Sequence, residues 1–280
     1  MEAKSVPLHR IVDWDNAYAN GPNIAGGERW PDLWIEPAER FRARMKAQGR
    51  ARLDQRYGQR PRNLFDLFLP EGTPKGLVVF VHGGFWLRLD KSFWSHLATG
   101  PLAHGHAVAM PSYTLCPEIR IAGIVREVAA AIGTAAAMVE GPMRLTGHSA
   151  GGHLVTRMIT SDVLLPPSVQ DRVVNTVSIS GVHDLRPLMR TVMNKQLRID
   201  ETEANVESPV LLRPIEGARL TCWVGGAERA EFRRQNALLG NVWAGLGAAT
   251  DAVEEPDRHH FDVIDGLVDR NHPLTRTLVE

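Results

Sequence analysis

The chain has 280 residues, 44% of them hydrophobic, which is ample for one large core with a small cap. Lysine plus arginine equals aspartate plus glutamate at 32 each, which excludes the field that nucleic acid or an anionic membrane surface would select. Apolar runs such as "GLVVFV" and "VAAAIGTAAAMV" fall short of the roughly 20 residues of a bilayer span, and "MEAKSVPLHRIVDWD" has no apolar signal core. Cys116 and Cys222 stand in separate segments with no partner spacing, so free thiols in a reducing cytoplasm are expected.

In chain order, the first 60 residues are irregular and rich in tryptophan, arginine and proline, with a helix expected from about Pro37 to Gln48, closed by Gly49. "NLFDLFLP" alternates apolar and polar residues as a half-buried strand does, and one or two antiparallel strands are expected near residues 50–70. "KGLVVFVHGG" is a β-branched run bounded by glycines, as in a buried parallel strand. "HAVAMPSY" follows as a short strand. "AGIVREVAAAIGTAAAMVE" has helical spacing and stops at Gly141-Pro142. "MRLTGHS" reads as a strand entering a turn, and "AGGHLVTRMITS" as the next helix. "VVNTVSISG", "RLTCWVGG" and "GAATDAVEE" are further strands. Helices are expected through "EFRRQNALLGNVWAGL", at "FDVIDGL" and near the C-terminus. Alternating strands and helices indicate an α/β fold in three layers, a mostly parallel sheet with helices on both faces. No internal repeat interrupts this single domain over residues 1–280, in which residues 1–50 or so are expected to cap an active site.

Two stretches carry chemistry. Gly147-His148-Ser149-Ala150-Gly151 matches G-x-S-x-G between a strand and a helix, the context in which a serine stands on a strained turn at the carboxyl edge of a sheet. The helix beginning at Ala150 aims free N–H groups at the same spot. "VHGGFW" ends the strongest strand, where the amides of Gly83 and Gly84 are open to a substrate oxygen.

These stretches, with "PSYTLCPE" and "GHSAGGHL" in the same order, resemble the hormone-sensitive-lipase-like branch of the α/β hydrolases. Tryptophan in "HGGFW" and the later "HHFDVIDGL" resemble the kynurenine formamidase (arylformamidase) group. The resemblance spans roughly residues 60–270 and the N-terminal cap. It implies an eight-stranded sheet, no cofactor and a serine–acid–histidine triad in that chain order, with N-formylkynurenine as the named substrate and a carboxylesterase for short-chain esters as the alternative.

A serine hydroxyl needs a base, and chain order leaves His259, His260 and His272. In the arylformamidase-like proteins the base directly precedes phenylalanine and aspartate, which favours His260, with His259 as the alternative. The acid is expected on "GGAERAEF". Glu231-Phe232 matches the family's glutamate–phenylalanine pair, so Glu228 falls where the family carries aspartate, a departure from the pattern. Asp184 in "SGVHDL" is the rival acid, unless it caps "LRPLMRTV".

Gly83, Gly84 and Ala150 are the expected oxyanion donors, and Phe85, Trp86 and Tyr113 the expected substrate walls. His82, His148 and His153 read as bracing or packing residues, and Glu118 resembles a family position that steadies neighbouring loops. His104-Gly105-His106 lacks the partners of a zinc site, and "GHSAGG" lacks dinucleotide spacing. The expected partner is a small acyl substrate, without nucleic acid or membrane; a homodimer is left open. A non-catalytic binding protein on the same fold is the reading furthest from these residues, since serine, histidine and glycines are all retained.

Overall fold

In the computed structural model, which describes residues 11–162 and 165–280, eight strands form one sheet. They are β1 (Ala51–Arg56), β2 (Leu64–Phe68), β3 (Leu77–Val81), β4 (Ala107–Pro111), β5 (Met143–His148), β6 (Val173–Ile179), β7 (Arg219–Gly225) and β8 (Ala249–Glu255). Across the sheet they run β1-β2-β4-β3-β5-β6-β7-β8. β2 pairs antiparallel with both β1 and β4, and every other neighbouring pair is parallel. This is the expected mostly parallel, eight-stranded sheet.

Burial follows from position in it. β3 and β4 are buried at every residue because helices cover both their faces. β1 and β8, at the edges, alternate or expose charged residues, which blunts edge-to-edge pairing. Leu77, Val79 and Val81 face a core closed by the helices Ile121–Met138, Ala150–Arg157 and Ala230–Ala244. Val78 and Phe80, one residue out of step, face a second core closed by Trp30–Ala47, Lys91–Ala98 and Pro273–Val279. Three layers result.

Three expectations need correction. The second helix starts at Trp30 rather than Pro37. Pro31 occupies its first turn, where a missing N–H costs nothing, and Trp34, Ala38, Phe41 and Met45 form a buried stripe that carries the helix through Pro37. "FDVIDGL" forms only a 3₁₀ segment, Val263–Leu267. The helix Ile121–Met138 is, over its 18 residues, long and apolar enough to cross a bilayer, unlike the shorter run read from sequence; half of it is buried within the protein as a core helix.

Before the sheet, a short helix (Trp14–Tyr18) and two 3₁₀ turns (Gly21–Asn23, Gly27–Arg29) lead into Trp30–Ala47. Residues 1–10 of the expected cap lie outside the described residues.

Candidate active site

β5 delivers Ser149 to the carboxyl edge of the sheet. The serine sits at φ 56°, ψ −116°, a strained conformation that the helix beginning at Ala150 and a bond from its own amide to the Ile179 carbonyl (2.8 Å) hold in place. Only glycine fits two residues on: a Cβ at Gly151 would fall 1.9 Å from the Val81 carbonyl oxygen. Gly83, beyond the end of β3, packs directly on the serine, since a Cβ there would lie 3.1 Å from that of Ser149. Among the described residues, no hydrogen bond within the protein engages the amides of Gly83, Gly84 or Ala150. They stand free beside Ser149.

The glycine turn is braced from beneath. His82 stacks on Tyr113 (4.2 Å between centroids, 6° between planes) and donates Nδ1–H to the Gly83 carbonyl at 2.7 Å. Burial lowers its pKa to about 4, so the ring is neutral at physiological pH. Tyr113 donates its hydroxyl to the His82 carbonyl at 3.0 Å. Tyr113 and Trp86 are fully buried and take no part in lining the cavity, contrary to the expectation that they form its walls. Phe85 and Trp86 both have positive φ, and Trp86 packs edge-on against His153 in the core while Phe85 lines the cavity.

The loop after β7 places Glu228 with no exposed side-chain surface. Its Oε2 accepts from His260 Nδ1 at 2.6 Å, and its Oε1 from the Gly225 amide at 2.8 Å and from the Ser180 hydroxyl at 2.5 Å. A carboxylate so surrounded is fixed in orientation, and it fixes the imidazole in turn. His260 follows β8, with its ring against Phe232 (4.4 Å) and His148 (4.6 Å). His148 donates Nε2–H to the His260 carbonyl at 2.8 Å, joining the serine's strand to the histidine's loop. Burial and the nearby His260 hold the His148 pKa well below the ordinary histidine value.

The alternatives are occupied elsewhere. His259 lies against Trp30 and pairs through Nδ1 with Asp262 at 3.1 Å. Asp184 holds Arg186 by two bonds, at 2.8 and 2.9 Å, and accepts from its amide. Glu118 is an exposed partner of Arg60.

Ser149 and His260 line one cavity of about 810 Å³, and no hydrogen bond joins their side chains. Tyr18, Asn20 and Trp34 form its roof; Phe85, Trp94 and Phe261 give it aromatic walls. No motif marks Ser180 or Asn20 in the sequence, and Phe261 enters there only as the phenylalanine that follows the base. His148 was, but only as a packing or hydrogen-bonding residue.

A serine on a strand-to-helix turn, free amides beside it and a buried carboxylate–histidine pair on an α/β sheet define a hydrolase. No family model matches the sequence. A kynurenine formamidase of Danio rerio is 29% identical over 241 residues, covering 81% of this chain and 80% of that protein. One of Drosophila melanogaster is 28% identical over 96% of this chain and 97% of its own length. The crystal structure of a candidate thioesterase from a Silicibacter species is 48% identical, covers 96% of this chain and 99% of that one, and superposes with a TM-score of 0.91. The chain has the α/β-hydrolase fold and is similar to the arylformamidase-type esterases of its hormone-sensitive-lipase-like branch.

Proposed function

We propose that the chain is a serine hydrolase that works through an acyl-enzyme and removes a small acyl group, formyl foremost, from an aromatic amine such as N-formylkynurenine. The observation that carries this reading is the meeting, at one cavity, of Ser149, the Glu228-held His260 and the free amides of Gly83, Gly84 and Ala150. Ser149 Oγ attacks the carbonyl carbon as His260 Nε2 takes its proton, and Glu228 stabilises the imidazolium. The carbonyl oxygen, now negative, is held by the free amides, each worth roughly 3 kcal/mol in the transition state. His260 then protonates the departing amine. Water, activated by the same ring, attacks the acyl-serine, releases the acid and restores the serine proton.

The formamide substrate is supported by the likeness to kynurenine formamidases and by a cavity walled with Phe85, Trp94 and Phe261, which suits a flat aromatic leaving group. The second reading, a carboxylesterase for short-chain esters, draws support from the 48% identical neighbour, described as a candidate thioesterase. Comparing kcat/KM for N-formylkynurenine with that for p-nitrophenyl acetate and butyrate separates the two. A formamide efficiency below about 10² M⁻¹s⁻¹, far under the usual enzyme range, leaves the esterase reading standing. Fluorophosphonate labelling tests the mechanism itself: the adduct is expected on Ser149, and its absence rejects a serine nucleophile.

A further inference from the structure

Asn20 is 5% exposed and lines the cavity, yet among the described residues neither the nitrogen nor the oxygen of its side-chain amide has a hydrogen-bond partner. Most buried polar side-chain groups are paired, because a bare one forfeits its bonds to water and gains nothing. The same loop supplies the contrast. Asn23, exposed and three residues on, donates to the Ala19 carbonyl (2.7 Å) and to Asn16 (3.1 Å), and accepts from Arg229 (3.2 Å). The exposed asparagine is saturated while the buried one is bare.

The loop holds the Asn20 main chain in place. Asn23 donates its amide to the Asn20 carbonyl (3.0 Å), and Gly27 to that of Ile24 (2.9 Å). Gly21 and Gly27 touch so closely that a Cβ on Gly27 would fall 2.2 Å from the Gly21 oxygen. Two residues before Asn20, the Tyr18 hydroxyl donates to Glu231 at 2.8 Å and accepts from Gln235 at 3.1 Å. Three further groups on the lining share the same condition among the described residues: the indole N–H groups of Trp34 and Trp94, their rings 4.9 Å apart, and Nδ1 of His148 are buried and unpartnered. The charged side chains of the lining, Asp15, Glu28 and Arg88, are exposed. The unpaired polar groups of these buried walls are thus two indole donors, the acceptor Nδ1 of His148 at the serine end, and the carboxamide of Asn20.

Resting on the acyl-transfer reading above, we infer that Asn20 is a specificity-determining residue that binds a hydrogen-bond-accepting oxygen, ketone or carboxylate, on the leaving group of the substrate. Substrates are then acylated aromatics whose leaving group carries such an oxygen, and a bare aryl amine or phenol leaves the carboxamide unpaired. A site with a buried polar group discriminates against the analogue that lacks its partner.

The test compares two pairs of substrates. N-formylkynurenine and formanilide share the formamide and differ in the polar tail; O-acetyltyrosine and phenyl acetate do the same for an ester. In Asn20→Ala the preference for the tailed member is expected to fall about tenfold or more, mainly through KM, and in Asn20→Asp, which offers a carboxylate to the same oxygen, further still. Asn20→Leu, which removes an unpaired buried amide, is expected to melt no lower than the wild type. Unchanged preference in both pairs, or a melting temperature several degrees lower in Asn20→Leu, overturns the inference. If the wild type cleaves only the esters, the formamidase reading fails while the ester pair still judges Asn20.

Discussion

The floor and the roof of the cavity are built by different rules. The floor rises from neighbouring strands: Gly83 and Gly84 follow β3, Ser149 β5, Ser180 β6 and Glu228 β7. Its acid accepts three hydrogen bonds, and its histidine brace is clamped between rings. The roof comes from the chain before the sheet, a short helix and two irregular 3₁₀ turns leading into Trp30–Ala47. Tyr18 and Trp34 anchor it in the two cores, polar contacts such as Tyr18 to Glu231 and the Val192 amide to Asp15 (2.7 Å) add to them, and Asn20 on the turns between is left bare. Stiff strand ends hold reacting groups to fractions of an ångström, whereas an irregular segment suits the choice of what is admitted.

If chemistry resides in the floor, Ser149→Ala lowers turnover by roughly 10⁴–10⁶, since triad members act as a unit. A loss of tenfold or less would break the comparison at its base. Glu228→Gln is expected to cost about 10³–10⁴ in kcat, because the amide favours the wrong imidazole tautomer. Asp184→Asn, which frees only the half-exposed Arg186, should cost about threefold or less. The opposite ranking would move the acid to Asp184.

The histidines buried in the body sharpen the contrast through pH. Burial lowers the pKa of His82 to about 4 and those of His153 and His183 to about 3, against 6.5 when unfolded. Unfolded chains therefore bind these protons first as pH falls. Stability is fully present above pH 6.5 and declines toward pH 4, by up to about 1.4 kcal/mol per pH unit for each histidine. Denaturant unfolding between about pH 7.5 and 4.5 measures this, and a flat profile would mean these rings are not buried neutral.

The smallest effect belongs to the roof. Tyr18→Phe removes a hydroxyl bonded to buried Glu231 and should cost about 1–2 kcal/mol of stability. Its kinetic effect is expected in KM more than in kcat; an equal fall in both would join the roof to the chemistry.

What sequence makes legible divides along the same line. Runs such as "LVVFV" and the glycines around Ser149 follow from backbone rules that act over a few residues, so the sheet and its elbow can be read directly. The placement of Glu228 beside His260 is readable only through position after a strand and through resemblance, because 32 residues separate them. Trp86 and Tyr113 mislead because proximity in sequence to the glycine turn does not say which way a ring points. Asn20 and Ser180 carry no signal at all: each matters through what the fold brings, or fails to bring, within bonding distance.

The ladder between β6 and β7 pairs Ile179 with Trp223, and the Ser180 amide donates to the Trp223 carbonyl at 2.7 Å. Slipping that ladder by one residue would shift the backbone by about 3.3 Å and turn every side chain to the opposite face. Glu228 would then lose Ser180, and His260, carried with β7 through β8, would shift with it away from the Ser149 strand. Strand alignment thus gauges the spacing of the reacting groups, while the connections that cross over the sheet's faces can lengthen or shorten without the reacting groups registering it.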